Sequence, residues 1–212
     1  MPFNARAAFG VLILGLLPSA RLAAYQQPLS STDIRNAYFL GSRNDERTAE
    51  FFSQYERLLP VPKAGPSISK IEVRTPYAQV VERTMALPGY SAQKAQEDFL
   101  ARPAIFIVRV SIALTPSYPD MLPSEPGAAH VRADDFWRDF TVRVVQGHEI
   151  AARKTRGQPT YSSGGEGSSH LSGAEIELQY EIMKIASAPV QIEVLKPDGQ
   201  QVVVDFDLSK LR

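Results

Sequence analysis

Cysteine is absent from the chain, histidine occurs three times and tryptophan once. Without cysteine there is no disulfide framework, no thiolate metal site, no cysteine nucleophile and no lipid-modified cysteine. Charge of one sign is missing too: 23 lysines and arginines balance 23 aspartates and glutamates. That balance leaves no basic footprint for nucleic acid. Internal repeats are not visible, which sets aside propellers and solenoids.

Only one apolar run is long enough to concern a membrane, and it lies at the start. Asn4 to Ala24 reads as a secretory signal: Arg6 supplies the positive end, Ala7 to Leu17 are small or apolar, and Pro18 precedes Ala20, Ala23 and Ala24. The run is shorter than the about twenty residues of a membrane-spanning helix. Cleavage near Ala24 is therefore expected, with residues 1–24 removed and no membrane span afterwards. An uncleaved anchor is the alternative, because Arg21 makes the cleavage site irregular. The expected compartment is periplasmic or extracellular, and an exported chain without cysteine must be held by its core, which fits bacterial export.

The clearest hydrophobic period lies between Gly173 and Leu211. Ile176, Leu178, Tyr180 and Ile182 alternate with Glu175, Glu177, Gln179 and Glu181, the period of two of a half-buried strand. Val190, Ile192 and Val194 continue it after Pro189. A turn at Lys196, Pro197, Asp198 and Gly199 then leads to Val202, Val204, Phe206 and Leu208. Such strands need a second layer over their apolar face.

Residues 31–102 read as a helical region with one short strand. Ser31 or Thr32 can cap a first helix that Gly41 ends, and Asn44 or Asp45 a second in which Thr48, Phe51, Tyr55 and Leu58 share a face. Ile68 to Arg74 is the strand. Thr75 and Pro76 form a helix start, although Val80 and Val81 leave Tyr77 to Thr84 open between helix and strand. Ser91 caps a helix over Ala92 to Ala101.

From residue 103 the chain turns to strand. Phe106, Val108, Val110, Ile112 and Leu114 form one face, and Ile105 and Ile107 make the start of the other apolar, as in a strand covered on both sides at one end. Thr115 to Ala133 is a Pro-rich loop and Trp137 to Gln146 a strand. Glu149 to Arg156 and Gln158 to Ser162 are edge strands, and Ser162 to Ser169 is a flexible loop. About seven strands at this spacing predict an antiparallel immunoglobulin-like β-sandwich over 103–212. The fold class expected is mainly β with an α-helical N-terminal region (α+β).

Candidate chemistry is sparse. Ser67 with Lys70 and Ser91 with Lys94 match Ser-x-x-Lys, the nucleophile and base of penicillin-recognising enzymes, but no Lys-Thr-Gly or Ser-Asp-Asn element accompanies them. His130, His148 and His170 fall in or beside loops, and with Asp134 and Asp135 they are the candidate ligand or metal residues on one rim of the sandwich. Gly164, Gly165 and Gly167 lead into a strand with no lysine after them, so they form no phosphate cradle. The acids Glu175, Glu177, Glu181, Glu193, Asp205 and Asp207 would form an acidic face for calcium or a cationic partner if their strands were neighbours. Cross-strand pairing with Arg109, Arg143 and Arg153 is the plainer reading.

The sequence thus leads to an exported, non-catalytic binding or assembly module of the bacterial envelope, with a protein partner there and no cofactor. The alternative is a small hydrolase or ligand-binding protein using the loop rim.

Overall fold

The computed structural model describes residues 28–60, 62–63, 67–115, 134–163 and 169–212, with Ser169 and His170 described by their backbone alone. The signal-like stretch, all of the Pro-rich loop after Thr115 and the centre of the Ser and Gly loop lie outside the described residues. Among the described residues, four α-helices and nine strands are arranged as a mixed α+β fold with two antiparallel sheets.

Helices α1 (Ser31–Arg43) and α2 (Glu46–Ser53) come first, followed by strands β1 (Glu56–Leu58) and β2 (Ser67–Arg74). Helices α3 (Pro76–Ala86) and α4 (Ala92–Leu100) separate β2 from β3 (Ile105–Ala113). Then follow β4 (Thr141–Gln146), β5 (His148–Ile150), β6 (Lys154–Ser163), β7 (Ser169–Glu181), β8 (Pro189–Leu195) and β9 (Gln201–Asp207). The sheets have the orders β1-β2-β3-β7-β6 and β5-β4-β8-β9.

One core lies between the two sheets. The larger sheet supplies Val73, Phe106, Val108, Val110, Ile176 and Tyr180, and the smaller supplies Val144, Ile192, Val194 and Phe206, all buried. Alternation alone produces this, because a period of two sends every second side chain to the same face. A second apolar cluster, Ile34, Ala37, Tyr77, Val80, Val81 and Ala95, joins α1, α3 and α4 into a helical layer. That layer covers part of the larger sheet's outer face.

Several local expectations are corrected. Gly41 does not end α1; it is buried inside it, because a Cβ there would run into the Val81 carbonyl of α3. The first helix is capped by Ser30 through a capping box with Asp33, and Asn44 in the left-handed region ends it. Asp45 caps α2 as one alternative expects, but the helix stops at Ser53, so Leu58 is in a strand and exposed. The N-terminal region therefore contains two strands, and both pair into the sheet that β3 belongs to. Tyr77 to Thr84 is helical, with Thr75 as N-cap and Pro76 in the first turn. Phe136–Asp139, including Trp137, forms a 3-10 turn before β4 instead of its first residues.

Candidate functional site

The outer face of the larger sheet is polar at its centre, and its cross-strand registers explain why. Glu72 of β2 lies opposite Arg109 of β3, Arg109 opposite Glu177 of β7, and Glu177 opposite Arg156 of β6. Four neighbouring strands thus carry charges of alternating sign in one row, the arrangement that cross-strand attraction favours.

Helix α3 enters this row through Glu82. Arg109 Nη1 donates to Glu82 Oε1 at 2.6 Å and Nη2 to Oε2 at 3.2 Å, a two-pronged pair. Arg74 Nε also donates to Glu82 Oε1, at 3.4 Å, and its Nη2 donates to Glu72 Oε1 at 2.7 Å. Lys70 Nζ reaches Glu72 at 3.1 Å. On the other side Arg109 Nε donates to Glu177 Oε2 at 3.3 Å, and Arg156 pairs with Glu177 Oε1. The result is a continuous chain, Lys70, Glu72, Arg74, Glu82, Arg109, Glu177, Arg156. Gln79 adds a neutral clamp, its Nε2 donating to the Arg74 carbonyl at 3.0 Å and the Ile105 carbonyl at 2.8 Å.

Burial divides the carboxylates. For Glu72, burial acts against the charged form, but Arg74 and Lys70 beside it bring the carboxyl below its ordinary value. Glu177 behaves in the same way: the hydrogen bonds from Arg156 and Gln179 outweigh burial. Glu175 differs. Burial pushes its carboxyl up, the attraction of Arg109 offsets only part of that, and the charges of Glu72 and Glu177 raise it further. Arg109 is held above its ordinary value because pairing with Glu82 outweighs its own burial.

Beside this network lies a cleft of about 580 Å³ between α3, α4 and the strands β3, β7 and β6. Its apolar lining includes Val80, Leu87, Phe99, Ala104, Ile105 and Ile107. Its polar lining comprises Gln79, Glu82, Arg83, Tyr90, Asp98, Arg102, Arg109, Arg156, Glu177 and Gln179. The volume falls in the range of small-molecule sites, roughly 300–1,000 Å³, and an apolar wall with a few convergent polar groups is their usual composition.

The histidines and acids predicted from sequence stand elsewhere. His130 lies outside the described residues. His170 is near the start of β7, opposite Ser162. His148 begins β5 beside Gln146, whose side-chain amide donates to the Ala186 and Ala188 carbonyls just beyond the end of β7. The length of β7 therefore runs between His148 and His170. Asp134 and Asp135 are exposed in a turn, Asp134 beside the Tyr161 hydroxyl and Asp135 paired with Arg138 at 3.4 Å. Among the described residues no three histidines, aspartates or glutamates gather as a metal set. The acids proposed as one face are split between the two sheets: Glu175 and Glu177 are on β7, and Glu193, Asp205 and Asp207 are on β8 and β9.

The cleft was missed because its residues come from five separate elements. One signal was present: Arg109 is the single charged residue of β3, at a position where the opposite strand offers Glu177. No helix among the described residues is long and apolar enough to cross a membrane. No protein-family model matches the chain, and the search of curated proteins finds no relative.

Proposed function

We propose that the protein is a non-catalytic binding module of the bacterial envelope and that the cleft beside Glu82 and Arg109 is its ligand site. The observation that carries this reading is the coincidence of a ligand-sized, mostly apolar concavity with a rigid charged wall. The ion-pair chain fixes the side chains of that wall before any ligand arrives, which lowers the ordering cost of binding. The helical region 31–102 supplies one side of the cleft, and β3, β6 and β7 of region 103–212 the other. Export is supported by Arg6 and the apolar run from Ala7 to Leu17.

The scaffold is read as immunoglobulin-like. Lettered in chain order from β2 to β9, the strands become A, B, C, C′, D, E, F and G. With β1 set aside as an added edge strand, the orders β2-β3-β7-β6 and β5-β4-β8-β9 then read A-B-E-D and C′-C-F-G, which supports this reading. On this reading α3 and α4 are an insertion between strands A and B, placed over the A-B-E-D sheet to build the cleft.

Two-dimensional amide NMR of the protein purified without residues 1–24, titrated with a chemically varied panel of small molecules, tests the proposal. Shifts concentrated at Gln79, Ala104, Ile107 and Gln179 are expected for at least one class of compound. Shifts confined to other parts of the molecule, or none across the panel, would reject it.

A further inference from the structure

Charge accounting within the cleft identifies what it can receive. Its three carboxylates are engaged: Glu82 with Arg74 and Arg109, Glu177 with Arg109 and Arg156, and Asp98 with Lys94 at 3.1 Å and the Tyr90 hydroxyl at 3.0 Å. Arg109 and Arg156 are neutralised by the same pairs. Arg83 and Arg102 also line the cleft, and neither has a carboxylate within ion-pair distance among the described residues. Both act on the Tyr90 hydroxyl electrostatically, and Arg83 acts also on Asp98, which accepts from that hydroxyl. The other lining residues include Leu87, Phe99, Ala104 and Ile105. The cavity therefore carries two arginines outside any direct ion pair among the described residues, together with an apolar wall.

From this complementarity we propose that the cleft binds a single-chain anionic amphiphile of the fatty-acid type, its carboxylate between Arg83 and Arg102 and its chain along Phe99, Ala104, Ile105 and Ile107. The inference rests on the cleft being the ligand site. Arginine suits the headgroup because its planar fork donates two parallel hydrogen bonds to a carboxylate. The chain is retained by removal of apolar surface from water, which a neutral or cationic analogue of equal length would share. Headgroup charge is thus the discriminating property.

Calorimetric titration with decanoate, 1-decanol and decyltrimethylammonium, all below their aggregation concentrations, tests the assignment. Decanoate should bind about tenfold more tightly than the alcohol, and the cation more weakly than either. In R83Q/R102Q decanoate should lose about tenfold in affinity while decanol is unchanged. Amide shifts on decanoate addition should centre on Ala104 and Ile107. Should the double variant fail to fold, raising the ionic strength with the unaltered protein replaces it, and decanoate should weaken while decanol does not. Equal binding of acid and alcohol, or decanoate affinity indifferent to both arginines and salt, overturns the proposal. If decanoate fails while another compound of the NMR panel shifts the cleft residues, the amphiphile is wrong and the binding module stands. If no compound reaches the cleft, both fall.

Discussion

Glu82 of α3 receives both Nη groups of Arg109, at 2.6 and 3.2 Å, and so fastens the helical layer to the centre of the larger sheet. The pair is partly shielded, with Arg109 about one-fifth and Glu82 about one-third exposed. Breaking it from the Glu82 side leaves Arg109 with Glu177, whereas breaking it from the Arg109 side takes a partner from both Glu82 and Glu177 and leaves them only Arg74 and Arg156. Arg109→Met should therefore cost more stability than Glu82→Gln. A double-mutant cycle by urea denaturation should give a coupling of about 1–2 kcal/mol. Additive losses would show that α3 is held by packing and Gln79 alone.

Glu175 and Glu177 are two residues apart on one strand and should respond oppositely to pH. The folded-state carboxyl of Glu175 is raised, so the folded protein binds its proton more readily than the unfolded chain does. Its contribution is present below the ordinary glutamate value and is lost as pH rises through the folded value. At neutral pH Glu175→Gln should therefore stabilise, and in acid the variant and parent should converge. For Glu177 the folded value is lowered, and its contribution is present above the ordinary value and lost as pH falls through the folded one. Glu177→Gln should destabilise at neutral pH and converge with the parent in acid. Thermal melts from pH 3 to pH 8 would show whether the two variants move in opposite directions.

Gly41 to Ala is an informative conflict. In an exposed helix interior the change would stabilise by about 1 kcal/mol. At Gly41 the new methyl group would meet the Val81 carbonyl oxygen and Thr84 Cβ, so α1 must move away from α3. Overpacking costs about 1–3 kcal/mol, and contact with backbone leaves little room for relief. A net loss of about 1–2 kcal/mol is expected in chemical denaturation. A gain would mean that the two helices separate freely.

The same glycine shows where reading the sequence stops. Strand faces were legible because alternation is local: Phe106, Val108, Val110 and Ile112 declare their face without knowledge of any partner, and all are buried. Capping was legible at Thr75, Ser91 and Asp45 for the same reason. Gly41 was misread as a terminator because glycine permits both a helix end and a close helix crossing, and only the position of Val81 decides between them. Tyr55 and Leu58 kept helical spacing after the chain had turned, since aromatic packing on Phe51 and pairing with β2 each outweighed propensity. The cleft was illegible for a related reason. Glu82, Arg109, Arg156 and Glu177 are at least 21 residues apart along the chain, so no motif could contain them.

Gly157 of β6 faces the indole of Trp137, and a Cβ at that position would overlap the ring. Glycine there exposes strand backbone that the aromatic ring then covers. Gly157→Ala must displace Trp137 from the sheet, at a cost of about 1–3 kcal/mol. Because Trp137 is the sole tryptophan, its emission reports the event directly. A red shift in the folded variant is expected, and unchanged emission would show that the strand moves instead of the ring.

Tyr55 connects distant parts of the chain. Its hydroxyl donates to the Arg212 carbonyl oxygen at 2.7 Å and accepts from the Arg212 amide at 2.9 Å, and Thr75, the cap of α3, donates to that same carbonyl. Burial pushes the Tyr55 hydroxyl up to about 12. The folded state thus holds this proton more tightly than the unfolded chain, whose tyrosines titrate near 10. Stability from Tyr55 is complete below about pH 10 and is lost between roughly pH 10 and pH 12, an effect on the order of 2–3 kcal/mol. Tyr55→Phe should lose about 1–2 kcal/mol at neutral pH through the unpaired Arg212 groups. It should also be less sensitive to alkali than the parent. Parallel alkaline melts of the two proteins, with tyrosinate absorbance as the second readout, decide the matter: curves that stay parallel through pH 12 would place the alkaline transition on another residue, such as buried Tyr180.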